Sequence, residues 1–260
     1  MSEPRLRVER EGPIGRMVFD SPERRNAISG DMWRAIPKAM AEFEADAEVR
    51  CVVLRGEGTT AFAAGADISE FEKRRASAEA VEEYDGIVDA AQHAIEDSRK
   101  PVIALIHGFC IGGGLEMALA CDLRYADTSS QFAIPAARLG LGYGVHGTSR
   151  LVATVGHAAA REIMFTGRRY RADEALAMGL VNRILPDAEL DAYVQKVAQD
   201  LAGNAPLSIA ASKSIIDTLI RPHGDFGDGI EQIARCMKSE DYIEGRRAFM
   251  EKRPPRFRGK

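Results

Sequence analysis

The stretch that most limits what this chain can fold into is PVIALIHGFCIGGGLEMALACDLRYAD, residues 101–127. Val102 to Ile106 is a short β-branched apolar run between Pro101 and Gly108, the pattern of a buried strand. The triplet Gly112-Gly113-Gly114 comes next, and Leu115 to Cys121 then reads as a buried helix. A strand, a glycine turn and a helix start leave backbone N–H groups free and pointing outward. Glycine also lets a second molecule approach that backbone closely.

The one charge in this helix is Glu116, set among Leu115, Met117, Ala118 and Leu119. Three and four positions before it stand Gly113 and Gly112, so the carboxylate shares a helix face with the bare turn. Burying an isolated carboxylate is costly, and perturbed acids gather at functional sites. Glu116 is therefore the first candidate catalytic group.

The flanking segments set the fold class. Arg5 to Glu9 and Gly15 to Phe19 read as strands joined by a Gly-Pro turn, followed by a polar loop over 21–32. Met32, Ile36, Ala39, Met40 and Phe43 form a helical stripe; Pro37 inside it predicts a kink or a later start. Val49 to Leu54 reads as a strand, AFAAGADISEF (61–71) as a small-residue turn, and 80–97 as a helix turning Val81, Tyr84, Val88, Ala91 and Ile95 inward. A strand is expected near Leu123 to Tyr125. Beyond residue 145, the segments 146–155, 157–166, 172–179, 189–202, 206–220, 226–239 and 241–251 all read as helices. The expectation is an α/β chain with strands and helices alternating first and helices alone afterwards, the helical part packed on the α/β part or on a neighbouring subunit.

Charge and composition exclude several classes. The net charge of −4 gives no general pull toward nucleic acid or acidic membranes. No apolar run is long enough to span a bilayer, and the opening MSEPRLRVEREG lacks the apolar core of a secretory signal. Cys51, Cys110, Cys121 and Cys236 have no metal-ligand spacing and read as reduced, mostly buried thiols, so a cytoplasmic protein with no metal is expected.

AFAAGADI (61–68), IGGGLEMALACDLRYAD (111–127), TGRRYRADEALAMGLVNRI (166–184) and SEDYIEGRRAFMEKRPPRF (239–257) together resemble the crotonase superfamily, the enoyl-CoA hydratase/isomerase family, over nearly the whole chain. The resemblance implies a spiral of β-β-α turns with a C-terminal helical region that builds trimers, often paired into hexamers. It divides the chain into an acyl-CoA-binding core, 1–195, and a helical oligomerisation region, 196–260. It implies acyl-CoA thioester substrates and no separate cofactor, coenzyme A being part of the substrate. By motif position, the N–H groups of Ala66 and Gly113 hold the thioester oxygen while it carries enolate charge. Arg25, Ala27, Ala64, Asp67 and Ile68 match the region that contacts the CoA nucleotide, and Lys252 matches a residue that reaches CoA, sometimes across a subunit boundary. Arg25 reads equally well as surface charge, and Lys252 as part of a solvated basic tail.

Two departures from the family pattern bear on the reaction. Hydratases of this family use two glutamates; Glu116 fills the first place, but the run QFAIPA ends in Ala136 where the second is expected. An alanine moves no proton. The loop LGLGYGVHGTSRL (139–151) carries Tyr143 and His146 where hydratases usually have small residues or proline, and the tyrosine is similar to the methylmalonyl-CoA decarboxylase branch. Tyr143 then either handles a substrate carboxylate or stacks over the pocket, and His146 reads as a cap or surface histidine. The leading expectation is an enoyl-CoA hydratase-like lyase. The alternatives are decarboxylation of a malonyl-type (methylmalonyl or ethylmalonyl) CoA thioester and double-bond isomerisation with a single glutamate. A non-catalytic RNA-binding role is disfavoured by the acidic balance and the retained Glu116.

Overall fold

The computed structural model describes residues 4–67, 78–139, 141–220, 231 and 234–260. Among the described residues, ten strands form two sheets. The larger runs β1 (Arg5–Glu11), β2 (Ile14–Asp20), β3 (Cys51–Gly56), β5 (Val102–Ile106), β7 (Leu123–Asp127), β10 (Arg183–Leu185). The smaller runs β4 (Ala61–Ala63), β6 (Phe109–Ile111), β8 (Gln131–Ala133), β9 (Tyr170–Arg171). The helices are α1 (Gly30–Ala45), α2 (Ala78–Glu96), α3 (Gly113–Ala120), α4 (Val145–Thr166), α5 (Ala172–Ala177), α6 (Asp187–Gly203), α7 (Pro206–Ile220) and α8 (Glu240–Glu251).

The repeating unit is strand, strand, helix. β3, β5 and β7 lie side by side and parallel in the large sheet, and each is followed at once by β4, β6 or β8, which pair in parallel in the small one. α2 and α3 close the first two of these turns. Gly108 makes the corner between β5 and β6, with φ 58° and Thr60 O only 2.0 Å from where a Cβ would stand. The glycine is therefore required both for backbone angle and for space.

The unbroken apolar runs of the sheet follow from burial on both faces. Val52, Leu54, Val102, Ala104 and Ile106 face the main core with Trp33, Ile36 and Met40 of α1. Their alternates Cys51, Val53, Ile103 and Leu105 meet Leu190, Val194 and Ala198 of α6. Each such fully buried aliphatic side chain contributes about 1.5–3 kcal/mol. Cys51, Cys110 and Cys121 are buried free thiols.

Two expectations need correction. Helices are not alone after residue 145: β10 joins the large sheet parallel to β7, and β9 pairs antiparallel with β8. β10 is three residues long, too short for a periodic signal, and is held by tertiary pairing flanked by the Asn182 bonds to Arg124 N and O, both 2.8 Å. α1 neither starts late nor breaks at Pro37; it begins at Gly30, capped by Ser29 Oγ accepting from Met32 N at 3.3 Å. The two helices expected over 146–155 and 157–166 are present within α4, separated at Gly156, whose φ of 74° and ψ of 169° are not helical. Residue 195, the expected end of the core, lies inside α6, which packs on the large sheet. Half of the helix expected over 226–239 falls outside the described residues. No described helix is long and apolar enough to cross a membrane.

Candidate active site

Each glycine of the triplet answers a different constraint. Gly112 precedes α3 with φ 53°. A Cβ on Gly113 would stand 3.2 Å from Trp33 Cζ2, and one on Gly114 would stand 2.3 Å from the backbone oxygen of Ala63. α3 can start this close to β4 only on glycine. Gly113 is the first residue of α3, so its N–H has no acceptor within the helix.

The second glycine turn lies opposite. Gly65 has φ 110°, Ile28 N donates to Gly65 O at 2.8 Å, and Asp67 N donates to Ile28 O at 3.1 Å. Those two bonds straddle Ala66 and leave its N–H out of the ladder. Ala66 N is 3.6 Å from the position a Cβ on Gly113 would take. The two turns thus bring the N–H groups of Ala66 and Gly113 to one place.

Both residues line a cavity of about 1140 Å³, together with Trp33, Glu116, Ala136 and Tyr143. A separate cavity of about 830 Å³, bounded by Cys121, Lys213 and Phe257, meets it at Arg150, Ala153 and Ile220 but contains neither glycine turn. Glu116 reaches the larger cavity from the first turn of α3, and its carboxylate rests on the first turn of α4. A Cβ on Gly147 would come within 2.3 Å of Glu116 Oε1.

Burial pushes the Glu116 carboxyl up to about 7; Gln92 and the Tyr143 hydroxyl oppose this by favouring the charged form, and Asp89 and Asp85 push it further up. Glu116 is therefore divided between acid and base near neutrality, where proton transfer in both directions is most effective. Burial, then Glu116 itself, holds the Tyr143 hydroxyl well above its ordinary value, so it stays a neutral donor. Although Gln92 and Tyr143 face the carboxylate, neither closes a hydrogen bond with it in this structure. Among the described residues, four buried side-chain polar atoms lack a partner: Trp33 Nε1, Gln92 Nε2, Gln92 Oε1 and Tyr143 OH. All four lie at this cavity or directly behind Glu116. Since buried polar atoms are nearly always partnered, Trp33 Nε1 and Tyr143 OH mark a cavity prepared for something other than the protein's own groups.

The candidates drawn from sequence distribute as follows. Ala64, Ala66, Gly113, Glu116 and Tyr143 line the cavity. Arg25 and Ala27 lie outside that lining, in the segment that pairs with the second turn through Ile28 and Ala66, and Asp67 lies in the turn itself. Arg25 has φ 53°, accepts from Ala64 N through its carbonyl at 3.0 Å, and lays its guanidinium 4.9 Å from the Phe109 ring centroid. Ala27 is buried, and the buried Asp67 accepts from Arg24 Nη1 at 2.6 Å. Ile68 lies outside the described residues. Lys252 sits exposed just past α8 and is not among the residues that line the cavity. His146 is more than a surface cap: its Nε2 lies 3.0 Å from the buried Glu96 carboxylate, its ring stacks on His93 at 4.4 Å, and both histidines line the cavity.

Sequence reasoning missed Asp85, Asp89 and His93, which follow one another at four-residue spacing along the cavity side of α2. That polar stripe was visible beside the apolar one. It also missed Gln92, fully buried among Val88, Ala91 and Ile95; the signal was an amide on the apolar face of an amphipathic helix.

Two preorganised N–H donors beside a carboxyl that titrates near neutrality define a class of site, one that holds a carbonyl oxygen as it gains negative charge while a proton moves nearby. The chain belongs to the enoyl-CoA hydratase/isomerase family, whose model matches residues 9–260. It is 35% identical over 250 residues to a short-chain-enoyl-CoA hydratase of Clostridium acetobutylicum, covering 95% of this chain and 94% of that one. It is 36% identical to a carnitinyl-CoA dehydratase of Salmonella enteritidis, covering 98% of both. Among solved structures, an enoyl-CoA hydratase/carnitine racemase from Magnetospirillum magneticum superposes with a TM-score of 0.95 at 37% identity, over 100% of this chain and 97% of that one.

Proposed function

We propose that this chain adds water reversibly to 2-enoyl-CoA thioesters through an enolate, with Glu116 as the only protein acid/base. The observation that carries the reading is the Glu116 carboxyl, poised at about 7, in the cavity that the N–H groups of Ala66 and Gly113 line. Water attacks C3 as its proton passes to the Glu116 carboxylate, and the displaced π electrons move to the thioester oxygen. The two N–H donors and the positive end of α3 hold that charge. Glu116, now a carboxylic acid, returns the proton to C2, and the carboxylate is restored. One group thus completes both transfers, which suits a cavity with the Ala136 methyl where the family resemblance places a second glutamate. Hydratase and dehydratase relatives at 35–36% identity support the same direction of chemistry.

In this reading Arg25, Ala27, Ala64, Asp67 and Ile68 take the CoA nucleotide, and Lys252 reaches it from a neighbouring subunit of a trimer or hexamer. The reaction needs no group beyond the CoA that the substrate brings.

A second reading rests on one observation, the buried, unpartnered hydroxyl of Tyr143 beside Glu116. That hydroxyl could orient a substrate carboxylate for loss as CO2, leaving the same enolate to be protonated. The deciding experiment is turnover of purified protein on crotonyl-CoA, followed by loss of the conjugated double bond, against methylmalonyl-CoA, followed by CO2 release. Hydration supports the first reading; decarboxylation without hydration replaces it with the second.

A further inference from the structure

We infer that Gln92 is a positioning residue for Glu116, its buried carboxamide holding the carboxylate's orientation and favouring its charged form. The inference rests on Glu116 being the acid/base of the proposed reaction. Gln92 lies on α2 with no exposed surface, and α2 packs against α3, which carries Glu116. Neither amide atom has a hydrogen-bond partner. A buried amide with both ends unmet opposes folding, and an apolar side chain of the same shape would fill the space between Val88, Ala91 and Ile95 without that cost. What the amide does have is the Glu116 carboxylate before it. The hydrogen bond is not closed in this structure; closed on the charged carboxylate, it favours that form.

The other polar groups around Glu116 cannot take this role. Asp85 and Asp89, also on α2, disfavour the charged form. His93 turns Nδ1 to Asp89 O at 2.7 Å, while His146 and Arg150 of α4 both engage Glu96. Tyr143 approaches from the loop before α4 and sits in the cavity itself, where substrate reaches it. Gln92 is the donor placed behind the carboxylate, outside the cavity lining.

The test is Gln92→Met, which keeps the shape and removes the amide, read in three ways. The Glu116 titration is followed on unliganded protein by isotope-edited infrared spectroscopy, its band assigned by its loss in Glu116→Gln. It should move up by about one pH unit, the size expected when one hydrogen bond to a charged carboxylate is lost. The acid limb of kcat/KM should move up with it, while the Tm stays level or rises. Gln92→Glu, which keeps the length and adds a like charge, should move the titration further in the same direction and lower the Tm. An unmoved titration in Gln92→Met overturns the inference, and most plainly if the Tm falls, since the residue is then structural only. The titration needs no substrate, so failure to hydrate crotonyl-CoA would count against the proposed function without touching this result.

Discussion

Replacing Gly147 with alanine should separate catalysis from stability. The added Cβ would stand 2.3 Å from Glu116 Oε1 and 3.1 Å from Tyr143 Cε1. Ordinary contact begins near 3.4 Å, so the carboxylate must retreat by about 1.1 Å. It can do so, because it is the far end of a flexible side chain. Gly147 has no positive φ and lies in the first turn of α4, where alanine is tolerated and restricts the unfolded chain, a gain of about 0.4–1 kcal/mol. A displacement of roughly 1 Å at a reacting group lowers the rate by about a hundredfold. Gly147→Ala should therefore reduce kcat for crotonyl-CoA hydration by about two orders of magnitude, with the Tm level or slightly raised. Gly114→Ala is the control. Its Cβ also meets an oxygen at 2.3 Å, but that oxygen is the Ala63 carbonyl, fixed in the backbone between β4 and the second turn. Overpacking there should cost about 1–3 kcal/mol or more. Scanning calorimetry and steady-state kinetics on both variants decide the matter. A wild-type kcat in Gly147→Ala would mean that the position of Glu116 does not set the rate. A Tm loss equal to that of Gly114→Ala would mean that the carboxylate cannot move.

Other outcomes follow from the same groups. Because Glu116 must be ionised to accept the proton of water, hydration kcat/KM should rise with pH through about 7; Glu116→Gln should abolish that rise and lower kcat by roughly a hundredfold or more. Tyr143→Phe should reduce turnover of malonyl-type thioesters and spare enoyl ones if the hydroxyl handles a substrate carboxylate; equal effects on both would leave it a packing residue. Away from the cavity, burial lowers the His107 pKa, but bonds to Asp127 at 3.1 Å and Asp191 at 2.8 Å outweigh burial and hold it above its ordinary value. A pKa raised on folding gives stability that is complete below about pH 6.5 and lost as pH rises through the folded value. His107→Asn should therefore lower the Tm more at pH 6 than at pH 9, and an equal loss at both would show that the imidazole is neutral in the fold.

Much of the fold was legible because its strongest signals are local. The run Val102–Ile106 reads as a strand covered on both faces, and it lies in the middle of the large sheet between β3 and β7. The glycine triplet reads as a turn for the same reason it is one, since Ala63 and Trp33 leave no room for a side chain. What escaped was structure made by distant partners. β10 has three residues and takes its strand geometry from β7, some sixty positions earlier. Pro37 reads as a kink or a later start, yet α1 begins at Gly30 and runs through it, its stripe from Met32 to Phe43 buried.

The site divides along the same line. Glu116 and the glycine triplet could be placed from spacing, since i, i+3 and i, i+4 relations fix which residues share a face, and the role of the second turn came from the family motif. The environment that gives Glu116 its character could not, because it comes from three separate elements: Gln92, Asp85 and Asp89 on α2, Tyr143 on a loop, and the first turn of α4 at Gly147. This division explains how Ala136 can be compatible with hydration. A second glutamate would supply a second proton carrier by adding a residue. Burial and neighbours instead bring a single carboxyl to about 7, so one group can both take and return the proton. In the proposed reaction, then, the motif with Ala136 is readable in the sequence, whereas what would compensate for it lies in packing, where no local pattern records it.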